Sequence, residues 1–250
     1  EAFARAIAAA PGEWDLVVDC IGYQPADAAQ DLEVFAARAG HLVFVSTDFV
    51  WDPAWRTVPQ SEANAHYLPP GSYGGDKRAC EERLEAAGSG AVPWTVVRPC
   101  HIYGPGSQLG CLPAAMRDPE LLPRLRRGET IALVGNGHFL QQPIFVEDLA
   151  RLILSAAGNP RARGLAVTAY GPEVLESRRY YAIIADLLGV PLRTSEIPVT
   201  EYLRTAPQPQ PGMCHRVCAL DQLRVAGLAV PWVGAEEGLR RHVEWKLNAV

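Results

Sequence analysis

Tyr73 and Lys77 lie four residues apart at the start of a predicted helix, and this spacing places both side chains on one helical face. A phenol with its ordinary pKa of about 10 is a poor acid–base catalyst at neutral pH. An ammonium group one turn away favours the phenolate, so the phenol can exchange a proton with a substrate hydroxyl as that hydroxyl becomes a carbonyl. Thr47, at the carboxyl end of the preceding predicted strand, can hold the same oxygen by a hydrogen bond. These three residues predict redox chemistry on a secondary alcohol.

The alternative is that Tyr73 and Lys77 are exposed residues of an ordinary helix. The chain contains 8 Tyr but just two Lys, Lys77 and Lys246. A Tyr-x-x-x-Lys motif is therefore expected by chance about 0.06 times in this chain, although every short motif carries some risk of a chance match. The low expectation favours the functional interpretation.

Predicted strands and helices alternate around these residues. Apolar runs of the parallel-strand type occupy Asp15–Cys20, His41–Val45 and Val92–Val97, and an amphipathic helix occupies Ala26–Ala39. This strand–helix–strand order predicts an α/β fold with a doubly wound parallel sheet. Ligands bind beyond the carboxyl ends of such strands, where Gly22 and Thr47 are both expected.

Four sequence motifs follow one another in the order typical of one known family. They are Ser46-Thr47-Asp48-Phe49-Val50-Trp51, Tyr73-Gly74-x-x-Lys77, Arg98-Pro-Cys-His101-Ile-Tyr103-Gly104-Pro105 and Ile144-Phe-Val-Glu-Asp148-Leu-Ala150. Together they resemble the extended short-chain dehydrogenase/reductases, the NAD(P)-dependent epimerase/dehydratase family. The segments VVDCIGYQPADAAQDLEVF and GNPRARG are most similar to the epimerase-like branch near the chloroplast stem-loop-binding proteins.

The resemblance implies a Rossmann-like fold, an NAD or NADP cofactor and three catalytic residues. In this scheme Tyr73 is the acid–base, Lys77 tunes it while holding the nicotinamide ribose, and Thr47 binds the reacting oxygen. The implied cofactor-binding residues are Cys20, Ile21, Gly22, Tyr73, Lys77, Pro99 and Cys100. The implied substrate-binding residues are Thr47, Asp48, His101, Gln141 and Arg216.

Departures from the family pattern bear on the substrate. His101 stands where the family has Asn, and Gln141 stands where members acting on nucleotide sugars often have Arg. The neutral amide of Gln141 cannot form a pair of charge-assisted hydrogen bonds to a diphosphate. Arg216 is a candidate for the arginine that is missing at this position. Phe49 after Asp48 disfavours a 4,6-dehydratase, which pairs Asp with Glu there. The expected protein is an oxidoreductase or epimerase that transfers a hydride to and from a secondary alcohol of a sugar nucleotide.

The beginning of the chain lacks one feature of a dinucleotide-binding fold. Such a fold starts with a strand, a Gly-rich turn and a helix that cradles the pyrophosphate, and no such turn precedes Asp15. We therefore expect an N-terminally truncated chain, without about sixty residues and the first strands of the family's order. Residues 1–105 are expected to form a partial dinucleotide-binding domain, with later strands from about 140–170, and residues 106–250 mainly a smaller substrate-binding lobe.

Two glycines follow Tyr73 in the predicted helix. Gly74 and Gly75 each cost a helix about 1 kcal/mol relative to Ala. The resemblance implies that Gly74 lets the helix lie close to a ligand. The sequence offers no explanation for Gly75.

Composition limits the partners and the compartment. A net charge of −5 and a pI near 5.7 argue against binding to nucleic acid or to acidic membranes, and no apolar run is long enough to span a bilayer.

A second hypothesis is a non-catalytic RNA- or protein-binding module with a basic patch at Arg124, Arg126 and Arg127. The six Cys are expected to be reduced thiols in the cytoplasm, with no metal site. A homodimer is an open alternative to a monomer.

Overall fold

The computed structural model describes residues 2–88, 92–113, 117–205 and 212–248. The strands are β1 (Val17–Asp19), β2 (Leu42–Val45), β3 (Trp94–Pro99), β4 (Ile102–Tyr103), β5 (Ile131–Val134), β6 (Leu140–Gln141), β7 (Ile144–Phe145), β8 (Leu165–Ala169), β9 (Leu175–Glu176) and β10 (Thr194–Ile197). The α-helices are α1 (Ala2–Ala9), α2 (Pro25–Val34), α3 (Tyr73–Ala87), α4 (Leu121–Arg126), α5 (Val146–Leu154), α6 (Ser177–Leu188), α7 (Val199–Thr205), α8 (Asp221–Val225) and α9 (Ala235–Asn248).

A parallel sheet with the strand order β1-β2-β3-β8 forms the centre of the fold. Successive residues of a strand point to opposite faces, and β2 shows this clearly. Leu42 and Phe44 pack with α2 and α3 in one buried cluster, whereas Val43 packs with α5 and α8 in another. Helices therefore cover both faces of the sheet. The prediction of an α/β fold with a doubly wound parallel sheet is confirmed.

The predicted helix at Ala26–Ala39 ends earlier than expected, at Val34. Ala37 has a φ of 54°, a left-handed conformation that a right-handed helix cannot contain. The remaining residues turn instead and bring Ala39 into a bridge with Trp14. The chain then enters β2 one residue later than predicted, at Leu42.

A third buried cluster is formed mostly by residues that follow β4 in the sequence. It brings together residues of α4, α6, α9 and β5, including Leu121, Ile131, Tyr180 and Leu239. This cluster belongs to the part of the chain for which a substrate-binding lobe is expected. The division into two domains at residue 105 stays a prediction.

Helix α3 begins where the sequence predicts and lies unusually close to two loops. Ser72 is its N-cap, and the Ser72 hydroxyl accepts a hydrogen bond from the Gly75 amide at 3.1 Å. A Cβ atom built on Gly74 would lie 1.9 Å from the Phe49 carbonyl oxygen, and one on Gly75 would lie 1.8 Å from the Pro69 carbonyl oxygen. The expectation that Gly74 faces a ligand is therefore wrong, because protein backbone occupies that place.

We expect Gly74→Ala to lower the free energy of unfolding by about 1–3 kcal/mol, since the added methyl group must displace backbone rather than a flexible side chain. Helix propensity alone predicts the opposite sign, a gain of about 1 kcal/mol. Chemical denaturation measures the difference. Glu82→Ala, at an exposed position of the same helix, is the matched control and should change the free energy little. A stabilised Gly74→Ala variant would contradict the close packing of α3.

Within the described ranges, no helix is both long enough and apolar enough to cross a membrane. The same residues contain no group of three or more His, Cys, Asp or Glu side chains arranged to hold a metal ion. None of the six cysteines, all of which lie in the described ranges, forms a disulfide bond.

Candidate active site

A cavity of about 530 Å³ opens at the carboxyl ends of β1, β2 and β3. Its wall consists of Cys20, Tyr23, Val45, Ser46, Thr47, Asp48, Phe49, Tyr73, Lys77, Pro99, Cys100, His101, Ile102, Leu112, Arg117, Leu149, Ile153 and Arg216. Parallel strands that end at one edge of a sheet bring the residues after them together, and for this reason residues far apart in the sequence share the cavity.

The three predicted catalytic residues meet in this cavity. Thr47 caps a short 3-10 turn at Asp48–Val50, where the Thr47 hydroxyl accepts a hydrogen bond from the Phe49 amide at 3.2 Å. Tyr73 is the first residue of α3 and is 51% exposed, with its ring in the cavity wall. Thr47 lines the same cavity, and its hydroxyl acts to lower the pKa of the Tyr73 phenol. Both hydroxyls can therefore contact one substrate oxygen.

The Lys77 side chain is buried beneath Tyr73. The Lys77 Nζ atom donates a hydrogen bond to the Val45 carbonyl at 2.8 Å. It also lies 4.7 Å from the centre of the Phe44 ring and 4.8 Å from the centre of the Tyr23 ring. Burial lowers the pKa of Lys77, while the Asp19 carboxylate acts in the opposite direction.

The pKa of the Tyr73 phenol is raised, which is opposite to the direction expected from a neighbouring ammonium group. Burial is the main cause of the raised pKa, and the Thr47 hydroxyl and the charge of Arg117 oppose it. The Lys77 ammonium makes its contacts with the Val45 carbonyl and two rings. In this geometry Tyr73 holds its proton at neutral pH.

A buried ion-pair network holds the residue before Thr47. The Ser46 hydroxyl donates a hydrogen bond to the Glu81 carboxylate at 2.6 Å. The Arg98 guanidinium forms a two-nitrogen fork to the same carboxylate, with distances of 3.0 and 2.7 Å, and Arg78 approaches to 3.0 Å. Glu81 and Arg98 are both almost completely buried. Since Glu81 lies one turn after Lys77 on α3, this network fixes α3 against the segment after β2 that carries Thr47.

A second buried network holds the residue after Thr47. Asp48 Oδ1 accepts a hydrogen bond from Arg216 Nη2 at 2.6 Å, and Oδ2 accepts from Arg216 Nε at 2.8 Å, from Tyr170 at 2.7 Å and from Arg56 at 3.0 Å. Burial alone would raise the pKa of Asp48, but the two guanidinium groups and the hydroxyl lower it to about 2. Two positive charges share one negative charge here, so the network carries a net positive charge beside the cavity.

His101 is buried, and its Nε2 atom has no hydrogen-bond partner among the described residues. Burial lowers the pKa of His101 to about 3, and the charges of Arg216 and Arg117 act in the same direction. The imidazole is therefore neutral at physiological pH and offers one free ring nitrogen to a ligand.

Nine of the twelve residues predicted from the sequence line the cavity together. They are Cys20, Thr47, Asp48, Tyr73, Lys77, Pro99, Cys100, His101 and Arg216. Ile21 and Gly22 instead line a separate depression beside β1, and their amides donate hydrogen bonds to Asp19 Oδ1, both at 2.8 Å. Gln141 is absent from the described cavity wall and lies behind Arg216, 3.4 Å from its Nη1 atom.

Sequence reasoning missed three polar residues of the cavity wall, Tyr23, Ser46 and Arg117. Tyr23 directly follows the predicted cofactor-binding residues Cys20–Gly22, so extending that segment by one residue would have included it. Arg117 stands in an irregular part of the chain and belongs to no motif that would identify it. Asp48 and Arg216, predicted to bind substrate, have most of their polar atoms engaged with each other.

A model of the NAD dependent epimerase/dehydratase family matches residues 26–167, more than half of the chain. None of the curated protein sequences compared with the chain matches it.

Several solved structures have a similar fold. An epimerase from Methanothermobacter thermautotrophicus superimposes with a TM-score of 0.77 and 17% identity, over 99% of this chain and 75% of that one. UDP-glucose 4-epimerase from Thermotoga maritima, solved with UDP-glucose, gives a TM-score of 0.74 and 19% identity, over 99% of this chain and 81% of that one. UDP-glucuronic acid 4-epimerase from Bacillus cereus, solved with UDP-glucuronic acid and NAD, superimposes with a TM-score of 0.69 and 15% identity, over 90% of this chain and 67% of that one. At these identities the likeness concerns the fold.

Proposed function

The chain belongs to the NAD dependent epimerase/dehydratase family, and from this premise we propose that it oxidises and re-reduces a secondary alcohol of a sugar nucleotide with NAD(P). The observation that carries the proposal is the convergence of Thr47, Tyr73 and Lys77 in one cavity at the carboxyl end of a parallel sheet. A phenol, a hydroxyl and a buried ammonium group are the groups that proton exchange with an alcohol requires.

Tyr73 is the acid–base of the proposed reaction. In the reducing direction its phenol donates a proton to the carbonyl oxygen, and the raised pKa of Tyr73 keeps this phenol protonated at neutral pH. In the oxidising direction the phenolate takes the proton of the substrate hydroxyl, and this form requires the positive charge of Lys77 one helical turn away. Thr47 holds the reacting oxygen in both directions, because its hydroxyl lies in the same cavity wall as the Tyr73 phenol. The nicotinamide ring, when bound, supplies the hydride acceptor and donor.

The residues of the cavity suit the reacting end of a nicotinamide cofactor. Cys20, Pro99 and Cys100 follow adjacent parallel strands and stand in the same wall as Tyr73 and Lys77. Pro99 and Cys100 offer an apolar surface for a flat ring, and the Lys77 ammonium can donate to ribose hydroxyls. The free Nε2 atom of His101 leaves one polar contact for the substrate. The proposal covers both NAD and NADP.

Charge favours an anionic substrate. The Asp48 network has a surplus positive charge, and Arg117 adds another guanidinium to the same wall. A diphosphate or a carboxylate is attracted to such a site, whereas a neutral sugar gains nothing from it. The UDP sugars found with the epimerases from Thermotoga maritima and Bacillus cereus belong to this chemical class.

RNA binding finds less support. The basic patch considered for it is partly neutralised, because Arg124 binds Asp118 at 2.6 Å and Glu129 at 3.1 Å. Arg127 also binds Glu129, at 2.7 Å. Guanidinium groups that are paired with carboxylates attract phosphate weakly. A homodimer stays a prediction. The absence of disulfide bonds among the six described cysteines favours a location in the cytoplasm, which we propose.

The proposal is tested by incubating the protein with NAD⁺ or NADP⁺ and, separately, UDP-glucose, UDP-glucuronic acid and UDP-N-acetylglucosamine. We expect one of these substrates to be converted to its C4 epimer, seen as a new anomeric signal in the NMR spectrum. Cofactor binding is measured in parallel by calorimetry. A protein that binds both a cofactor and a UDP sugar but forms no epimer, oxidised product or reduced cofactor would contradict the proposed reaction.

A further inference from the structure

Tyr23 contacts both members of the predicted catalytic pair. Its ring centre lies 6.2 Å from that of Tyr73, with an angle of 47° between the ring planes. The Lys77 Nζ atom lies 4.8 Å from the centre of the Tyr23 ring, well inside the range of a cation–π interaction. Tyr23 is half exposed and forms part of the cavity wall. These contacts set it apart from the other aromatic residues of the chain.

The start of α2 fixes the position of Tyr23. The Asp27 carboxylate accepts hydrogen bonds from the Tyr23 and Gln24 amides, both at 2.9 Å, as in a capping box. The Gln24 side chain reaches Asp76 on α3 at 3.4 Å. The first turns of α2 and α3 are therefore tied together, and the Tyr23 ring is held against the side chains that α3 presents.

A buried ammonium group needs partners in place of the water that it has lost. Lys77 receives one carbonyl oxygen, from Val45, and the faces of two aromatic rings, those of Phe44 and Tyr23. Phe44 lies inside the sheet, where it is fully buried. Tyr23 belongs to the loop after β1, so it is the partner that lies on the open side of the cavity.

We propose that Tyr23 is a positioning residue for Lys77: the face of its ring stabilises the ammonium form and fixes its position one helical turn after Tyr73. The role of Lys77 rests on the proposed function, whereas the contact between the ring and the amine does not. The interaction depends on the π-face, so any aromatic residue can provide it and an aliphatic one cannot. Other titratable groups that act on Lys77 are Asp19 at the end of β1, Cys20 directly after it, and Cys80 and Glu81 on α3.

The two lysines of the chain permit a direct test. Protein labelled with ¹³C at the lysine Cε atoms gives two signals, and Lys246→Arg identifies that of Lys77. Tyr23→Leu should lower the pKa of Lys77 by about half a unit to one unit, because the aliphatic side chain excludes water without offering a π-face. Tyr23→Phe keeps the ring and should keep the pKa of Lys77. The pKa of Lys246, on α9, is the internal control in both variants.

An unchanged or raised pKa of Lys77 in Tyr23→Leu would overturn the proposal, as would an equal decrease in Tyr23→Phe. A second readout is kcat at pH 7, which should fall about threefold to tenfold in Tyr23→Leu relative to Tyr23→Phe. The NMR titration needs no turnover. If the proposed reaction fails, the titration still decides whether the ring of Tyr23 acts on Lys77.

Discussion

Tyr73→Phe is expected to lower kcat by about 10²–10⁴-fold, since it removes the hydroxyl that exchanges a proton with the substrate and leaves the ring in place. Tyr73 stands in the cavity wall beside Thr47, and among the described residues the wall contains no other phenol but that of Tyr23. The Kd for NAD(P) should change by about twofold or less, because the aromatic surface is preserved. Steady-state kinetics and calorimetry measure the two quantities separately.

Tyr202→Phe is the matched control for this substitution. Tyr202 lies on α7, outside the described cavity wall, and its hydroxyl donates a hydrogen bond to the Pro113 carbonyl at 3.3 Å. This variant should retain kcat within about twofold, as is usual for a substitution remote from the site. Equal kcat values for Tyr73→Phe and the unaltered protein would remove Tyr73 from the mechanism.

Glu81→Gln is expected to lower the free energy of unfolding by about 3–5 kcal/mol, because it leaves the buried Arg98 cation without its counter-charge. The amide can still accept one hydrogen bond from Ser46, but it cannot receive the two-nitrogen fork as an anion. For a chain of this size, the loss corresponds to a decrease in Tm of about 10 °C. Thermal and chemical denaturation at pH 7 measure both values.

Glu82→Gln, one residue further along α3, separates this effect from a general change in helix charge. Glu82 is exposed and lies 3.5 Å from Arg78, so its loss should cost about 0–1 kcal/mol. Similar losses in the two variants would mean that the burial of the Glu81–Arg98 pair contributes nothing to stability.

The residues that converge in the cavity could be predicted because local rules place them. Tyr73 and Lys77 share a face through helical periodicity, and Thr47 follows an apolar run that had to be a buried parallel strand. The fold class follows from the same alternation of strands and helices. The matching family model bears out the resemblance that these motifs suggested.

Other features depend on contacts between residues far apart in the chain, which no local pattern encodes. Asp48 and Arg216 are 168 positions apart, and nothing in either segment indicates that they form one ion pair. The direction of the Tyr73 pKa shift depends on where the flexible Lys77 side chain places its ammonium group. Gly75 is explained by the Pro69 carbonyl oxygen, which lies where a Cβ atom would otherwise stand.

Thr47 stands between two residues that are each locked by a different charged network, Ser46 through Glu81 and Asp48 through Arg216. For anyone wishing to redirect this protein to new substrates, the two sides of the pocket therefore offer unequal freedom. Mutant libraries directed at Ile102, Leu112 and Arg117 would vary other parts of the cavity wall without changing a residue of either network. Libraries around Thr47 would mostly yield chains that no longer fold.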